Sequence, residues 1–298
     1  MKLPFLAVTL LPTLAAGYKP VIALHGISGS ASNFDGFLAE LAELHPNTTT
    51  YSIPMYEKEA SNTDLNTQVT EIAKNIDAWV AAHDEAKDGW HLVCHSQGAL
   101  ICRCLTEYMD SHNIQTFVSL AGPQLGVFDD AFFSFFPDSI AGFTKEEIYH
   151  VAYLGVSQKE LSVANMWADP THFDKYVKDN KFLPKYNGLT SDADGNAKRK
   201  ENFLRVKKAV FLVGDMGATT YDGGIGPWES GAWSYYKEGS ETEFIGMEEN
   251  TVYSEDLFGL KSMDDRGDLE VKTVPSISHN SWVNDSPTRK EYVFPYFD

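Results

Sequence analysis

Apolar and polar positions follow two different periods along this chain. Short runs rich in apolar and β-branched residues predict buried strands, and between them apolar residues recur at the spacing of one helix face. The clearest helical pattern lies between residues 63 and 88, where Thr63 or Asp64 can cap the helix, and another helix is expected from the turn at 95–98 to about His112. Strands are predicted at residues 21–24, 50–53, 91–94, 116–120, 209–213 and 269–274.

Strands that are buried on both faces and separated by helices form mostly parallel sheets. The pattern therefore predicts an α/β fold with helices on both faces of the sheet. The chain has 298 residues, and α/β folds of this size commonly form one domain. No repeat of 20 to 50 residues is visible, so we expect a single domain over residues 18–298.

The alternation of strands and helices stops between about residues 126 and 203, which predicts an inserted helical lid. Six of the eighteen phenylalanines lie between residues 128 and 143. Some of these rings are expected to anchor the lid, and others to line an apolar groove at the carboxyl edge of the sheet. Residues 191–200 are predicted to form a mobile surface loop. The groove candidates are Phe132, Phe133, Phe135 and Phe136.

Residues 1–17 have the three parts of a secretory signal peptide. A positive start precedes an apolar run at 3–11, and Ala15 and Gly17 satisfy the small-x-small rule for cleavage after Gly17. The apolar run is too short for a membrane span, and no other stretch of about 18 apolar residues occurs. We therefore expect an exported protein without a transmembrane segment.

Export makes two sequons candidates for glycosylation. Asn47 is followed by two threonines, and Asn284 by Asp285 and Ser286, although Pro287 weakens the second sequon. The alternative for each is an unused surface asparagine.

The composition is strongly acidic. There are 24 Lys and Arg residues against 42 Asp and Glu residues, a net charge of −18, and the pI is about 4.8. Such a charge repels nucleic acids and anionic membrane surfaces, so neither is expected as a main partner. Crowded carboxylates are partly neutralised in acid, which favours an acidic working compartment.

The three cysteines, Cys94, Cys102 and Cys104, are too few for a disulfide framework. On one helix, Cys102 and Cys104 would point in different directions, so we expect all three to be buried, unpaired apolar residues. No H-E-x-x-H motif, paired C-x-x-C motif or P-loop is present. The sequence thus excludes the zinc and nucleotide hydrolases that carry them, and it predicts neither a metal nor a cofactor.

Residues 94–98, Cys-His-Ser-Gln-Gly, lie between a predicted strand and a predicted helix. They match the nucleophile elbow G-x-S-x-G of α/β-hydrolases, except that Cys94 replaces the first glycine. The sharp turn of an elbow raises the serine hydroxyl above the sheet. We therefore expect Ser96 to be a nucleophile, with a helix-capping serine as the alternative.

The chain order of an α/β-hydrolase triad is serine, acid, histidine. His279 is the one histidine beyond residue 172, and it follows the last predicted strand by five residues. Histidine can take the Ser96 proton and return it to the leaving group. Two acids remain open: Asp215 directly follows a strand, whereas Asp222 lies in a glycine-rich loop that can fold back toward His279.

Two backbone N–H groups are expected to form the oxyanion hole. One belongs to Gln97, the residue after the nucleophile, and the other is assigned to Ile27 in the loop after the first strand. His25 is expected to be a structural hydrogen-bonding residue, and no role is assigned to His95.

These residues together resemble the palmitoyl-protein thioesterase family, and its lysosomal type 2 branch more than its type 1 branch. The family's elbow reads cysteine, aromatic, serine, glutamine, glycine, and residues 94–98 are similar to it. The resemblance covers nearly the whole chain after the predicted signal peptide. Further similar stretches are 101–103, 118–126, 165–170, 202–206, 258–261 and 277–282.

The resemblance implies hydrolysis of long-chain acyl thioesters in the lysosome or a vacuole by a serine triad without a cofactor. Carried over by position, it implies Ser96 as nucleophile, His279 as base and Asp222, rather than Asp215, as acid. Ala99 departs from the second glycine of the family's elbow, and the disulfides of the type 1 branch have no predicted counterparts. The acyl donor stays open between acyl-CoA and acylated protein.

Three rival interpretations remain. The same triad would serve an ester lipase, because oxygen and sulfur esters pass through the same kind of tetrahedral intermediate. The phenylalanine-rich groove alone would suit a non-catalytic acyl-binding protein. Secretion is the alternative to a lysosomal destination.

Overall fold

The computed structural model describes residues 17–136, 143–216 and 221–297. Residues 1–16 of the predicted signal peptide therefore lie outside the described residues. Within the described part of the chain, no helix is both long and apolar enough to cross a bilayer.

The core is a six-stranded sheet in the order β2-β1-β3-β4-β5-β8, and every neighbouring pair is parallel. Each predicted strand is present, with ends that differ by at most two residues. The mostly parallel sheet expected from the apolar runs is thus confirmed. The strands are β1 (Val21–Leu24), β2 (Thr50–Ser52), β3 (Trp90–His95), β4 (Ile114–Leu120), β5 (Lys208–Asp215), β6 (Tyr235–Tyr236), β7 (Phe244–Ile245) and β8 (Leu269–Pro275).

Helices cover the sheet and fill the connections between strands. The two short strands β6 and β7 form a separate antiparallel pair. In chain order the α-helices are α1 (Asp35–Leu44), α2 (Leu65–Ala82), α3 (Gln97–Tyr108), α4 (Tyr149–Ala152), α5 (Ser157–Glu160), α6 (Ser162–Met166), α7 (Phe173–Asp179), α8 (Leu183–Tyr186), α9 (Ala193–Phe203), α10 (Thr251–Ser254), α11 (Leu260–Asp265), α12 (Ser281–Asn284) and α13 (Ser286–Tyr292). Short 3-10 helices include Ala31–Phe34, Lys58–Asn62, Asp130–Phe135 and Trp228–Ala232.

Alternate strand residues pack on opposite faces of the sheet, as the pleat requires. Val21 and Ala23 contact a cluster formed by α1, α12 and the C-terminal segment. Ile22 and Leu24 contact α2, α3 and the segment that follows β4. The apolar stripe predicted for α2 faces this second cluster, and Asp64, one of the two predicted caps, accepts a hydrogen bond from the Thr67 N–H at 3.1 Å.

The described residues between β4 and β5 include helices α4 to α9, joined by turns and irregular segments, and their role as a lid stays a prediction. One prediction here was wrong: residues 193–203 form helix α9 and not a mobile loop. Asp192 begins this helix by accepting the Gly195 N–H at 3.1 Å, and its last turn buries Asn202 and Phe203. The sequence of α9 is mostly polar because only a small part of the helix surface is buried. It therefore lacks the apolar spacing from which a helix is predicted.

Cys94 and Cys102 form a disulfide, so the prediction of unpaired cysteines was wrong for these two. Cys94 is in β3 and Cys102 is in α3, and their Cα atoms lie 6.4 Å apart, within the range of a disulfide. They meet because the chain reverses at the turn between β3 and α3. Cys104 is free and buried, as expected. The bond ties the strand before Ser96 to the helix after it.

Candidate active site

Ser96 occupies the sharp turn between β3 and α3. Its backbone has φ 55° and ψ −129°, a left-handed conformation that costs a non-glycine residue energy and is typical of a nucleophile elbow. Its N–H donates to the Leu120 carbonyl at 2.9 Å. The loop after β1 approaches so closely that a Cβ on Gly26 would lie 2.8 Å from the Ser96 Cβ. This turn therefore places Ser96 at the carboxyl edge of the sheet.

A cavity of about 300 Å³ opens above this edge. Its walls include the predicted nucleophile, base and oxyanion-hole residues, contributed by three separate loops. Among the lining residues are the candidates Ser96, Gln97, Ile27 and His279, together with Gly26.

His279 is joined to Asp222 at one wall of this cavity. The His279 Nδ1 lies 2.8 Å from the Asp222 Oδ2, and both side chains are buried. The Asp222 Oδ1 accepts the N–H groups of Gly224 and Ile225 at 2.9 and 2.8 Å, and the His279 N–H donates to the Asp222 carbonyl at 2.9 Å. A Cβ on Gly224 would collide with the His279 ring. The glycine-rich loop thus folds around the imidazole.

Asp215, the other acid left open by spacing, ends β5. Its carbonyl accepts the Ser276 N–H at 2.6 Å, which links the end of β5 to the segment after β8. The carboxylate that contacts His279 Nδ1 is that of Asp222. The geometry therefore favours the choice that the family resemblance implied.

The two predicted oxyanion-hole residues flank Ser96. Gln97 is the first residue of α3, so its N–H lies beyond the reach of the helix's own carbonyls and at the positive end of the helix dipole. Ile27 follows Gly26, the residue that touches Ser96. His25 is buried, with Nδ1 2.8 Å from the Gly26 carbonyl and Nε2 3.1 Å from the Met55 carbonyl. It thus makes backbone contacts of the kind expected for it, and its structural role stays a prediction.

His95 has a contact that sequence reasoning missed. Its Nε2 lies 2.9 Å from the His279 carbonyl, and the two rings are 4.7 Å apart. Burial lowers the pKa of His95 to about 3, and the neighbouring His279 acts in the same direction. The ring is therefore neutral and donates its Nε2–H to the His279 carbonyl. The position of His95 next to Ser96 could have suggested a role in the site. The sequence does not show, however, that the loop carrying His279 returns to the end of β3.

The four groove candidates divide into two pairs. Phe132 and Phe135 line the cavity. Phe133 and Phe136 are not among the lining residues of this cavity; within the described residues their rings pack on Trp167, with centroids 5.8 and 6.2 Å away, and their part in an acyl groove stays a prediction. Neighbouring residues of a 3-10 helix point in different directions. The sequence alone does not show which of several nearby phenylalanines points toward the cavity.

The two sequon asparagines are both exposed. Asn47 lies in a turn with φ 70°, and Asn284 ends α12 and contributes to the wall of the cavity. Glycosylation at either site stays a prediction.

Glu229 lies close to the acids of this site, in the 3-10 helix Trp228–Ala232. Burial raises its pKa to about 7, and the negative charges of Asp215 and Asp222 act in the same direction. Its Oε2 is buried and has no hydrogen-bond partner in the part of the chain that the structure describes. Glu229 therefore holds a proton in mildly acidic solution and loses it near neutral pH.

We expect Glu229→Gln to stabilise the protein at pH 8 and to leave its stability unchanged at pH 4.5. The folded state keeps the Glu229 proton up to about pH 7, whereas an unfolded glutamate, with a pKa of 4.5, has already released it. Wild-type stability from this group is therefore lost as the pH rises from 4.5 to 7, by roughly 1–3 kcal/mol. Urea unfolding of both proteins at the two pH values measures the difference, and an equal difference at both would contradict the assignment.

The chain matches the family model described as palmitoyl protein thioesterase over residues 20–279. Lysosomal thioesterase PPT2-B of Xenopus laevis is 34% identical over 281 residues, which cover 94% of this chain and 92% of that protein. Lysosomal thioesterase PPT2 of Homo sapiens is 35% identical over 301 residues, which cover 99% of this chain and 94% of that protein.

Among solved structures, lipase BlEst2 of Bacillus licheniformis in its mature form is similar with a TM-score of 0.50. The two sequences are 13% identical, and the match covers 97% of this chain and 96% of the lipase. This likeness supports the α/β-hydrolase fold and nothing finer. Because the family match covers residues 20–279 and both relatives exceed 30% identity over almost the whole chain, this chain belongs to the palmitoyl protein thioesterase family.

Proposed function

We propose that this protein hydrolyses long-chain fatty acyl thioesters, of the palmitoyl-CoA or S-palmitoyl type, through an acyl-enzyme on Ser96. The observation that carries the proposal is the meeting of Ser96 with the hydrogen-bonded pair of His279 and Asp222 around one cavity. Membership in a family of thioesterases supports the reaction type.

In the proposed reaction, the Ser96 hydroxyl attacks the thioester carbonyl while His279 Nε2 takes its proton. Asp222, bonded to Nδ1, keeps the tautomer whose Nε2 is free to accept that proton, and stabilises the imidazolium. The N–H groups of Ile27 and Gln97 receive the negative oxygen of the tetrahedral intermediate. The carbon–sulfur bond then breaks and the thiol leaves with the proton. Water, activated by His279, releases the fatty acid by the same steps.

The acyl chain is assigned to the apolar wall of the cavity. Phe132 and Phe135 lie on this wall together with Met166 and Ile225. Each methylene that moves from water to such a surface contributes about 0.8 kcal/mol, or nearly fourfold in kcat/KM. This surface, and not the triad, would set the preference for long chains.

We expect Phe135→Ala to flatten the dependence of kcat/KM on acyl length. Palmitoyl thioester turnover should fall by about tenfold, the loss expected when about two methylenes lose their apolar contact, and octanoyl turnover should change little. The measurement is kcat/KM for a series of acyl-CoA substrates from eight to sixteen carbons.

Phe133→Ala is the matched control for this experiment. Phe133 packs against Trp167 behind the cavity wall, so its loss should lower the melting temperature without changing the ratio of palmitoyl to octanoyl rates. An unchanged ratio in Phe135→Ala would place the acyl chain elsewhere.

Matched sulfur and oxygen esters test the reaction itself. Purified protein should release thiol from palmitoyl-CoA with a higher kcat/KM than it releases palmitate from monopalmitoylglycerol. The reverse order would indicate a lipase with the same triad. Binding of both lipids without turnover, and without a burst of product from a chromogenic ester, would indicate an acyl-binding protein.

We also infer that the protein works after export, in an acidic compartment such as the lysosome or a vacuole. The disulfide between Cys94 and Cys102 is stable in oxidising compartments, and Glu229 favours the folded state in acid. Two relatives are named lysosomal thioesterases. Subcellular fractionation of the natural host would test this, and recovery in the culture medium would favour secretion.

A further inference from the structure

Residues 53–62, between β2 and α2, lie against the loop after β1 and are called the bracing segment here. The bracing segment contacts the loop at four points along residues 25–31. These contacts are His25 Nε2 to the Met55 carbonyl at 3.1 Å, Ala31 N–H to Glu57 Oε1 at 2.8 Å, Lys58 N–H to the Gly29 carbonyl at 2.7 Å, and Ser28 N–H to Ser61 Oγ at 2.7 Å.

Ser61 contacts both sides of the proposed oxyanion hole. Its hydroxyl oxygen accepts the N–H of Ser28, the residue after Ile27, and its O–H donates to the Lys58 carbonyl at 2.5 Å. Its own carbonyl accepts the side-chain Nε2–H of Gln97 at 2.7 Å. Ser61 is buried, with 2% of its surface exposed, so water does not compete for these bonds.

These contacts surround a backbone in an uncommon conformation. Ser28 has φ 57°, a left-handed conformation that L-residues other than glycine, asparagine and aspartate rarely adopt. A hydrogen bond from its N–H to a fixed, buried acceptor keeps the Ile27–Ser28 peptide in one orientation. The bond from Gln97 Nε2 fixes the residue whose backbone N–H begins α3.

We propose that Ser61 is a positioning residue for the oxyanion hole, because it links the Ile27 loop and the start of α3 through one buried side chain and one carbonyl. The proposal rests on the function proposed above. Oxyanion-hole donors act through their preorganised position, so a shift of a few tenths of an ångström weakens binding of the transition state more than binding of the substrate.

The test uses Ser61→Ala, which removes the acceptor of the Ser28 N–H and keeps the carbonyl bond to Gln97. We expect kcat for palmitoyl-CoA to fall by roughly 10- to 100-fold with KM changed less than about threefold. Hexadecyl trifluoromethyl ketone, which forms an oxyanion on Ser96, should lose affinity by the same factor. S-hexadecyl-CoA, a thioether without a carbonyl, should bind as it does to the wild type.

Ser119→Ala is the matched control. Ser119 is equally buried and its Oγ accepts one side-chain hydrogen bond, from Gln124 Nε2 at 2.9 Å. This variant should lose stability but retain the wild-type affinity for the ketone. A comparable loss of ketone affinity in both variants would overturn the proposal, and so would a Ser61→Ala enzyme with wild-type kcat and ketone binding.

Ser61→Cys keeps the test decisive if Ser61→Ala does not fold. The thiol is close in size but is a weak acceptor, so kcat and ketone affinity should fall together by roughly three- to tenfold. Wild-type values in this variant would overturn the proposal. If the wild-type protein neither cleaves thioesters nor reacts with the ketone at Ser96, the proposed function itself has failed, and that outcome is distinct from the others.

Discussion

Ser96→Ala and His279→Ala should each reduce turnover of palmitoyl-CoA by about 10⁴-fold or more while the protein stays folded. The serine supplies the attacking oxygen, and the histidine moves the proton that this attack releases. Because the two act as a unit, the double variant should be little slower than either single variant. Single-turnover assays and melting temperatures of all three proteins measure the effect.

Ser254→Ala and His150→Ala are suitable controls, since both residues are exposed, at α10 and α4 respectively. Both control proteins should keep the wild-type rate. A folded Ser96→Ala or His279→Ala protein that retains a tenth of wild-type activity would remove these residues from the mechanism.

Asp222→Asn should reduce kcat by about 10⁴-fold, whereas Asp215→Asn should reduce it far less. An asparagine at 222 can present its amide hydrogens to His279 Nδ1, which favours the tautomer that cannot take the Ser96 proton through Nε2. The carboxylate that contacts His279 Nδ1 is that of Asp222, so we expect Asp215→Asn to keep the productive tautomer, in which Nδ1 carries the proton and Nε2 is free. Both variants keep the size of the side chain, and steady-state kinetics compare them directly.

The reverse ranking would show that the acid directly after β5 serves the triad. Equal, small losses in both variants would show that neither carboxylate orients the histidine. In either case the bond between His279 and Asp222 would be structural.

The order of elements and the candidate nucleophile and base were predicted from the sequence because each depends on local pattern. A continuous apolar run such as residues 21–24 predicts a buried strand without knowledge of its neighbours. Because side chains alternate along a strand, it also predicts that Val21 and Ala23 face one side of the sheet and Ile22 and Leu24 the other. Ser96 was found from a five-residue elbow. His279 was found from the chain order of the triad, and the family was indicated by motifs that the later comparison confirmed.

The disulfide and the cavity wall required the tertiary structure, as did the contact with His279 that supports Asp222 as the proposed acid. Spacing left Asp215 and Asp222 open, and the choice depends on a loop that two N–H bonds close around the Asp222 carboxylate. Cys94 and Cys102 were predicted to be unpaired from the number and spacing of the cysteines. Neither shows the chain reversal between β3 and α3 that brings the two residues together.

The sequence by itself determined the six strands of the parallel sheet and helices α2 and α3, the edge of the sheet where the candidate site lies, and the residue types available there. The tertiary structure decided which Phe faces the cavity, that His95 contacts the His279 carbonyl, and that Ser61 contacts both Ser28 and Gln97, on the two sides of the proposed oxyanion hole. The physical reason is range. Periodicity reports the burial of each residue against an unspecified neighbour, whereas these contacts join residues 33 to 184 positions apart, whose meeting depends on the packing of the whole chain.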